Sequence, residues 1–260
     1  MIFAAGLGTR LRPLTDHTPK ALIKVAGKPM LEHVILRLKA AGFDDIVINI
    51  HHLGEQIIDF LRDNDNFGIN IRISDERDFL LDTGGGIKKA EPLFDGSDEP
   101  ILIHNADILS DIDLKALYQY HTQSGNDATL LVSHRKTVRY LLFDKSTLRL
   151  KGWINKDTLQ TKPEGFVYRP DCDADKYEEL AFSGIHVISP SLFGYMDSRW
   201  TGKFSIMDFY LQTCAEAAIG GMPVQNLHLI DIGKPETLCQ AEEFLKTNQG
   251  YSVNSIKLAN

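Results

Sequence analysis

Ala4-Ala5-Gly6-Leu7-Gly8-Thr9-Arg10-Leu11-Arg12-Pro13-Leu14-Thr15, followed by Pro19-Lys20, is the stretch whose reading decides the fold. It comes directly after the short apolar run from Met1 to Ala5, which predicts a first strand. Gly6 and Gly8 let the backbone turn tightly and approach a ligand with no Cβ in the way. Backbone N–H groups in such a turn suit phosphate oxygens. Between Met1 and Leu31 stand five basic residues (Arg10, Arg12, Lys20, Lys24, Lys28) and one acid, Asp16. The chain as a whole carries a net charge of −7, so this local excess predicts an anion site.

A dinucleotide-binding turn is the nearest confusion, and the residues fit it poorly. It needs a small residue three positions after the second glycine, where Leu11 stands, and an acidic ribose partner at the usual later spacing, which is missing. The string instead resembles the signature G-x-G-T-R-[LM]-x-P-L-T…P-K of the sugar-1-phosphate nucleotidyltransferases, matched at every fixed position. The resemblance implies a Rossmann-like three-layer α/β/α fold with a mixed, mostly parallel central sheet. It implies transfer of a nucleotidyl group from an NTP to a sugar-1-phosphate, with release of pyrophosphate. Arg10 and Lys20 would then be catalytic, and Ala4, Ala5, Gly6, Gly8 and Thr9 would contact the nucleotide.

Composition is compatible with this. The chain has 260 residues with 43% hydrophobic content, enough for one large α/β domain. An excess of 35 acids over 28 bases argues against a nucleic-acid polymer as partner. Cys172, Cys214 and Cys239 show no metal-binding spacing and read as reduced thiols of a cytoplasmic protein. No apolar run approaches the roughly 18 residues of a membrane span, and no signal peptide opens the chain. Family members usually carry a few residues more before the first strand, so a shortened N-terminus is expected here.

Farther along, Pro29 opens a predicted helix with Leu31, Val34, Ile35 and Leu38 at helical spacing, ended by Gly42. A strand is predicted over Ile46–Ile50, a helix over 54–62 and a strand over 69–73. His51 and His52 are adjacent at a strand end and point to opposite faces, which favours structural or substrate-edge roles over a shared metal. Leu81-Asp82-Thr83-Gly84-Gly85-Gly86-Ile87 reads as a glycine loop before a helix over 87–93. It resembles the L-x-T-G-G-G-I-x-K-A form of the branch handling N-acetylmuramate-1-phosphate (with UTP) and mannose-1-phosphate (with GTP). That resemblance places Thr83, Gly84 and Gly85 against the nucleotide.

The apolar run 100–104 predicts a buried strand, and Asn105-Ala106-Asp107 follows it. A carboxylate at the C-terminal end of such a strand lies where open α/β sheets hold ligands. The segment resembles the family's G-D, whose Asp holds Mg²⁺, with Ala106 in the place of the usual Gly and Asn105 beside the nucleotide. Asp231-Ile232-Gly233-Lys234-Pro235-Glu236 resembles the family's D-[IV]-G-x-P-E, whose Asp is the second metal carboxylate. Mg²⁺ on Asp107 and Asp231 is therefore the expected cofactor. Phe182-Ser183-Gly184-Ile185 resembles the sugar-facing strand, with Ser183 and Gly184 as sugar contacts; a mid-strand glycine also suits close ligand approach.

A hairpin is predicted over 140–154. Residues 155–178 show no periodicity and read as an excursion over the active site. The family's E-K-P has only Thr161-Lys162-Pro163 to match it, so Lys162 reads as a solvated loop residue. Ser205 and Asp208 are spaced as a capping box, which accounts for Asp208. The expectation is a single domain over 1–260 with a polar tail at 250–260 and no hexapeptide-repeat domain. Base, sugar and oligomeric state stay open. A phosphocholine-type cytidylyltransferase and a non-catalytic nucleotide sensor are the competing readings; the retention of Lys20, Asp107 and Asp231 disfavours the sensor.

Overall fold

The structure is a computed structural model and describes residues 1–94 and 96–247. The tail at 250–260, expected to be frayed, lies outside the described residues. In chain order the elements begin with β1 (Ile2–Phe3), β2 (Lys24–Val25), β3 (Lys28–Pro29), α1 (Met30–Ala40), β4 (Asp45–Ile50), α2 (Gly54–Asp63) and β5 (Asn70–Asp75). Next come α3 (Asp82–Ala90), β6 (Ile101–Asn105), β7 (Ile108–Ser110), α4 (Leu114–Ser124), β8 (Ala128–Ser133), β9 (Arg139–Asp144) and β10 (Leu150–Asn155). The rest are β11 (Thr161–Lys162), α5 (Pro170–Asp173), β12 (Tyr177–Ile188), α6 (Ile206–Thr213), β13 (Ile219–Pro223), β14 (Leu229–Asp231) and α7 (Pro235–Thr247). They form two compact units. Among the described residues, the first comprises Met1–Leu80, His104–Lys115 and 228–247; the second comprises Leu81–Ile103 and Ala116–Leu227.

In the first unit β1 pairs in parallel with β4 on one side and with the end of β6 on the other, and β4 pairs in parallel with β5. Ile46, Val47, Ile48 and Ile50 are all buried, the continuous apolar run of a parallel strand covered on both faces. Leu31, Val34, Ile35 and Leu38 form the buried stripe of α1. That helix ends at Gly42 with φ +95°, where Phe43 N–H reaches back to the Leu38 carbonyl at 3.0 Å. Phe3 stands in register with both Asn49 and Asn105, so the segments following these strands leave from one sheet edge. β14 runs antiparallel to β7 with Asp231 opposite Ile108. α7 joins this unit's core through Ala241, Phe244 and Leu245, packed with Val25, Met30, Leu109 and Ile232.

In the second unit the long strand β12 pairs antiparallel with β9 through its first half and with β8 through its second, and β13 joins β8 in parallel. The expected hairpin is β9–β10. Gly184 has φ +75° and lies where the β12–β8 register shifts between Phe182 and His186, so it forms a β-bulge. Residues 155–178 fold back on the hairpin: Tyr168 and Phe166 pack with Leu142 and Ile154. A Cβ on Gly152 would sit 2.4 Å from the Phe166 ring.

The glycine run corrects the sequence reading. Gly84, Gly85 and Gly86 are buried inside α3, which begins at Asp82, so there is no open loop before a helix at 87. The reason is close approach. A Cβ on Gly84 would lie 2.4 Å from the Phe204 ring, and one on Gly85 would lie 2.2 Å from the Gly202 carbonyl oxygen. Backbone cannot swing aside as a side chain can. Gly85→Ala is therefore expected to cost about 2 kcal/mol or more of stability despite alanine's better helix propensity. Urea titration of parent and variant checks this; an unchanged midpoint would contradict the packing account.

Two buried histidines make this unit acid-sensitive. His121 lies within hydrogen-bonding distance of Thr129 Oγ1 and Ser189 Oγ, each at 2.9 Å. His186 is wedged between the Phe182 and Tyr210 rings, and neither of its nitrogens has a partner among the described residues. Burial pushes the first pKa down to about 4 and the second to about 3. The unfolded chain takes up these protons near pH 6.5 and the native state does not. The contribution of these two histidines is thus expected to be complete above pH 6.5 and to fall as the pH drops toward 4, by about 1.4 kcal/mol per pH unit per histidine. His186→Leu is expected to remove one proton's share of that slope, read from urea midpoints across the pH range.

Candidate active site

The signature loop leaves β1 under restraint. Ala4 and Ala5 N–H donate to Asn49 Oδ1 at 2.8 and 3.3 Å. The Gly8 carbonyl accepts from Thr15 Oγ1 at 2.8 Å and from Leu11 N–H at 2.9 Å. Gly8 itself has φ +63°, and a Cβ there would press on Thr15 Cγ2 at 2.7 Å, so both conformation and space demand glycine. Among the described residues, the N–H groups of Gly6, Leu7 and Gly8 donate to no protein acceptor. The amides open to an anion thus begin at Gly6. Ala4 and Ala5, expected to contact the nucleotide, have their own amides taken by Asn49.

Pro19 starts a single helical turn, Lys20–Leu22, closed by Leu22 N–H on the Pro19 carbonyl at 2.8 Å. This turn delivers the Lys20 ammonium to two carboxylates. It is ion-paired with Asp107 and lies 3.8 Å from Asp231 Oδ1. Asp107 follows β6, where Ala106 N–H closes on the Phe3 carbonyl at 2.9 Å. Ala106 is buried, so its extra methyl is taken up in the core. Asp231 is fixed by the β7–β14 register and by Ile232 N–H on the Asp107 carbonyl at 2.9 Å. Gly233 completes the group: a Cβ there would stand 3.0 Å from both Arg10 Nη2 and Asp231 Oδ1. Glycine therefore lets the exposed Arg10 guanidinium lie beside this aspartate.

The structure brings Arg10, Lys20, Asn105, Asp107 and Asp231 into the first unit with the loop. It also sorts the local basic excess. Arg12 turns to Asp16 at 3.3 Å and Lys28 to Glu32 at 2.6 Å, so a count of charges overstates the anion site. His51, read as structural or substrate-edge, has Nδ1 2.7 Å from the Glu76 carbonyl.

Thr83, Gly84, Gly85, Ser183 and Gly184 belong to the second unit. Gly84 and Gly85 N–H donate to the Phe204 carbonyl at 2.9 and 3.2 Å, and Thr83 Oγ1 accepts from Ile206 N–H at 3.0 Å. These groups hold α3 to the start of α6. Ser183 is buried, and its hydroxyl has no partner among the described residues. Lys162 corrects the sequence reading, because it is not a free solvated residue. Its Nζ lies 2.7 Å from Asp208 Oδ1 and 5.7 Å over the Trp153 ring. Both ends of the pair line a cavity of about 590 Å³ with Thr161, Trp200 and Gln212. Ser205 does cap α6 through Met207 N–H at 3.2 Å, while the Asp208 carboxylate is turned to Lys162 instead. The partial match Thr161-Lys162-Pro163 was the signal for Lys162. Gly233 was signalled as the glycine of the D-[IV]-G-x-P-E match, whereas Asn49 and Glu76 carried no signal that the residue types alone reveal.

The family model described as Nucleotidyl transferase matches residues 1–248. The chain belongs to the nucleotidyl transferase family. This nucleotidyl transferase is 52% identical over 209 residues to an N-acetylmuramate alpha-1-phosphate uridylyltransferase of Neisseria meningitidis serogroup B, covering 79% of the chain and 81% of that relative. It is 30% identical to the Caulobacter vibrioides protein of the same name, covering 93% and 94%. It is 35% identical to mannose-1-phosphate guanylyltransferase 1 of Arabidopsis thaliana, over 61% of the chain and 45% of that protein. A structure of a putative glucose-1-phosphate thymidylyltransferase from Bacillus anthracis superposes with a TM-score of 0.75 at 19% identity, covering 96% and 97%, a likeness of fold. The Rossmann-like nucleotidyltransferase fold with its mixed, mostly parallel sheet, and enzymatic nucleotidyl transfer, are both borne out.

Proposed function

We propose that this enzyme joins UTP and N-acetylmuramate-1-phosphate to give UDP-N-acetylmuramate and pyrophosphate, in the cytoplasm and in support of cell-wall precursor supply. The observation that carries the chemistry is the Lys20 ammonium held at Asp107 and Asp231, on the unit that also presents the unpartnered Gly6–Gly8 amides. The high identity to a uridylyltransferase for that sugar phosphate favours the substrate pair.

The physical problem is to bring two polyanions together. A phosphate oxygen of the sugar-1-phosphate attacks the α-phosphorus in line, a P–O bond forms, and the bond to pyrophosphate breaks. The acceptor is already ionised at neutral pH, so the protein supplies position and charge rather than a general base. The Gly6–Gly8 amides receive phosphate oxygens, and Arg10 offers a planar fork to the β- and γ-phosphates. Lys20 neutralises charge on the α-phosphate and the leaving pyrophosphate.

The carboxylate pair fits Mg²⁺. It offers hard oxygen donors, it already holds a cation in Lys20, and Mg²⁺ takes one or two carboxylates together with substrate phosphates and water. Bound by Asp107 and Asp231, the ion would offset the negative charge of the reacting phosphates. No described helix is long and apolar enough to cross a membrane.

The test is pyrophosphate release with each common NTP crossed with a panel of sugar-1-phosphates, with and without a chelator. UTP with N-acetylmuramate-1-phosphate is expected to give the strong, chelator-sensitive signal. A signal only with GTP and mannose-1-phosphate would overturn the substrate assignment and leave the chemistry standing.

A further inference from the structure

A buried relay sits beneath the signature loop. Asn49 and Glu76 are 2% and 0% exposed. Asn49 Oδ1 takes the N–H groups of Ala4 and Ala5, and its Nδ2 donates to Glu76 Oε1 at 2.7 Å. Glu76 is itself anchored, its N–H on the Ile50 carbonyl at 2.8 Å and its carbonyl beside His51 Nδ1. We infer that Asn49 and Glu76 are positioning residues for nucleotidyl transfer. Asn49 closes the first two amides of the loop, Glu76 fixes which way the Asn49 amide faces, and together they select the amides from Gly6 onward as the ones that meet the triphosphate.

The argument is one of donors and acceptors. Consecutive N–H groups converging on one point form a nest that suits an anion. Here the nest begins with a neutral oxygen, so an incoming phosphate meets only the later amides. An Asn side chain has two nearly isosteric ends, and only the oxygen can hold Ala4 and Ala5. Glu76 Oε1 is an acceptor for the nitrogen end, and that bond holds the Asn49 amide in this orientation. Reversing the amide would confront donors with donors at the loop and acceptor with acceptor at Glu76. Neither residue is placed to touch the phosphates; both act through the backbone of Ala4 and Ala5.

The inference rests on the nucleotidyl-transfer reading, and the test separates the two. Asn49→Asp keeps an acceptor toward the loop but opposes two carboxylates at Glu76. It is expected to lower kcat about 100-fold, the scale of a small misplacement of reacting groups, with the KM for the sugar phosphate within about twofold. Adding Glu76→Gln supplies a donor to the carboxylate introduced at position 49 and is expected to restore at least tenfold of that loss; mere core packing would give no such rescue. A folded Asn49→Asp enzyme with parental kcat, or a double variant no better than Asn49→Asp, would overturn the relay.

Should Asn49→Asp fail to fold, amide hydrogen exchange on the parent protein decides. Ala4 and Ala5 are expected to exchange slowly without nucleotide, and Gly6 and Gly8 to slow only when UTP is added. UTP-dependent protection of Ala4 and Ala5 instead would overturn the inference. A parent enzyme silent with every NTP would speak against the reaction, while the exchange pattern without nucleotide still tests the relay.

Discussion

Asp107→Asn is expected to fold as the parent does and to lose about 10³-fold of its turnover. The substitution keeps shape and one acceptor oxygen and removes the charge. Folding survives because what fixes this segment is backbone: the Phe3–Asn105 register, Ala106 N–H on Phe3, and Ile232 N–H on the Asp107 carbonyl itself. On the proposed metal role, function would fail because a single carboxylate, Asp231, would be left to hold a divalent cation against the repulsion of Lys20. The loss is expected to shrink as Mg²⁺ is raised, since weaker coordination is offset by mass action. Pyrophosphate release over a Mg²⁺ series, with circular dichroism on the same sample, reads both parts. Full activity in a folded variant would remove Asp107 from the metal site.

Lys20→Met is expected to be comparably damaging, at about 10²- to 10³-fold in kcat, but with the opposite response to metal. The Lys20 side chain is only 12% exposed, and its ammonium pairs with Asp107 while standing 3.8 Å from Asp231. With Arg10 still beside Asp231, replacing Lys20 with an apolar chain of similar length removes the cation that the two carboxylates share. Because both retain solvent contact, the cost to stability is about 1–2 kcal/mol rather than that of a deeply buried pair. A divalent cation can then do what the lysine did. The variant's melting temperature is therefore expected to rise more on adding Mg²⁺ than the parent's, while activity stays low because the charge that Lys20 offsets on the α-phosphate and leaving pyrophosphate is no longer offset there. Equal Mg²⁺ stabilisation of both proteins would mean that Lys20 does not compete for the carboxylate pair.

What the sequence disclosed followed from how local each constraint is. Gly8 is dictated by a turn within a few residues of itself, and the stripe on α1 by its own periodicity, so both were legible. Asp107 and Asp231 were legible through their motifs, although it takes the β7–β14 pairing to bring them together. The glycines at 84–86 misled because glycine weakens a helix in isolation. Only the approach of Gly202 and Phe204, more than a hundred positions away, explains why a helix would carry three. Lys162 and Asp208 find each other across 46 residues, and Asn49 and Glu76 across 27, with no pattern of spacing to announce either pair. Charge counting near the N-terminus located the right neighbourhood, but it could not tell Arg10 and Lys20 from Arg12 and Lys28, which are satisfied one helical turn away.

The first unit is discontinuous: its strands come from the beginning of the chain, its first aspartate from the middle, and Asp231, Gly233 and α7 from beyond residue 228. On the ribosome, chains acquire structure from the N-terminus as they emerge. By the time Leu227 is out, every residue of the second unit has been made. The first unit at that moment still lacks a carboxylate and the helix that packs on Val25 and Met30. Lys20 thus waits, from the emergence of Asp107 to that of Asp231, with one of its two counter-charges, and a chain released before Asp231 would keep its signature loop yet never assemble the pair of acids. Possession of the paired carboxylates is therefore a report that the message was read through to at least Asp231.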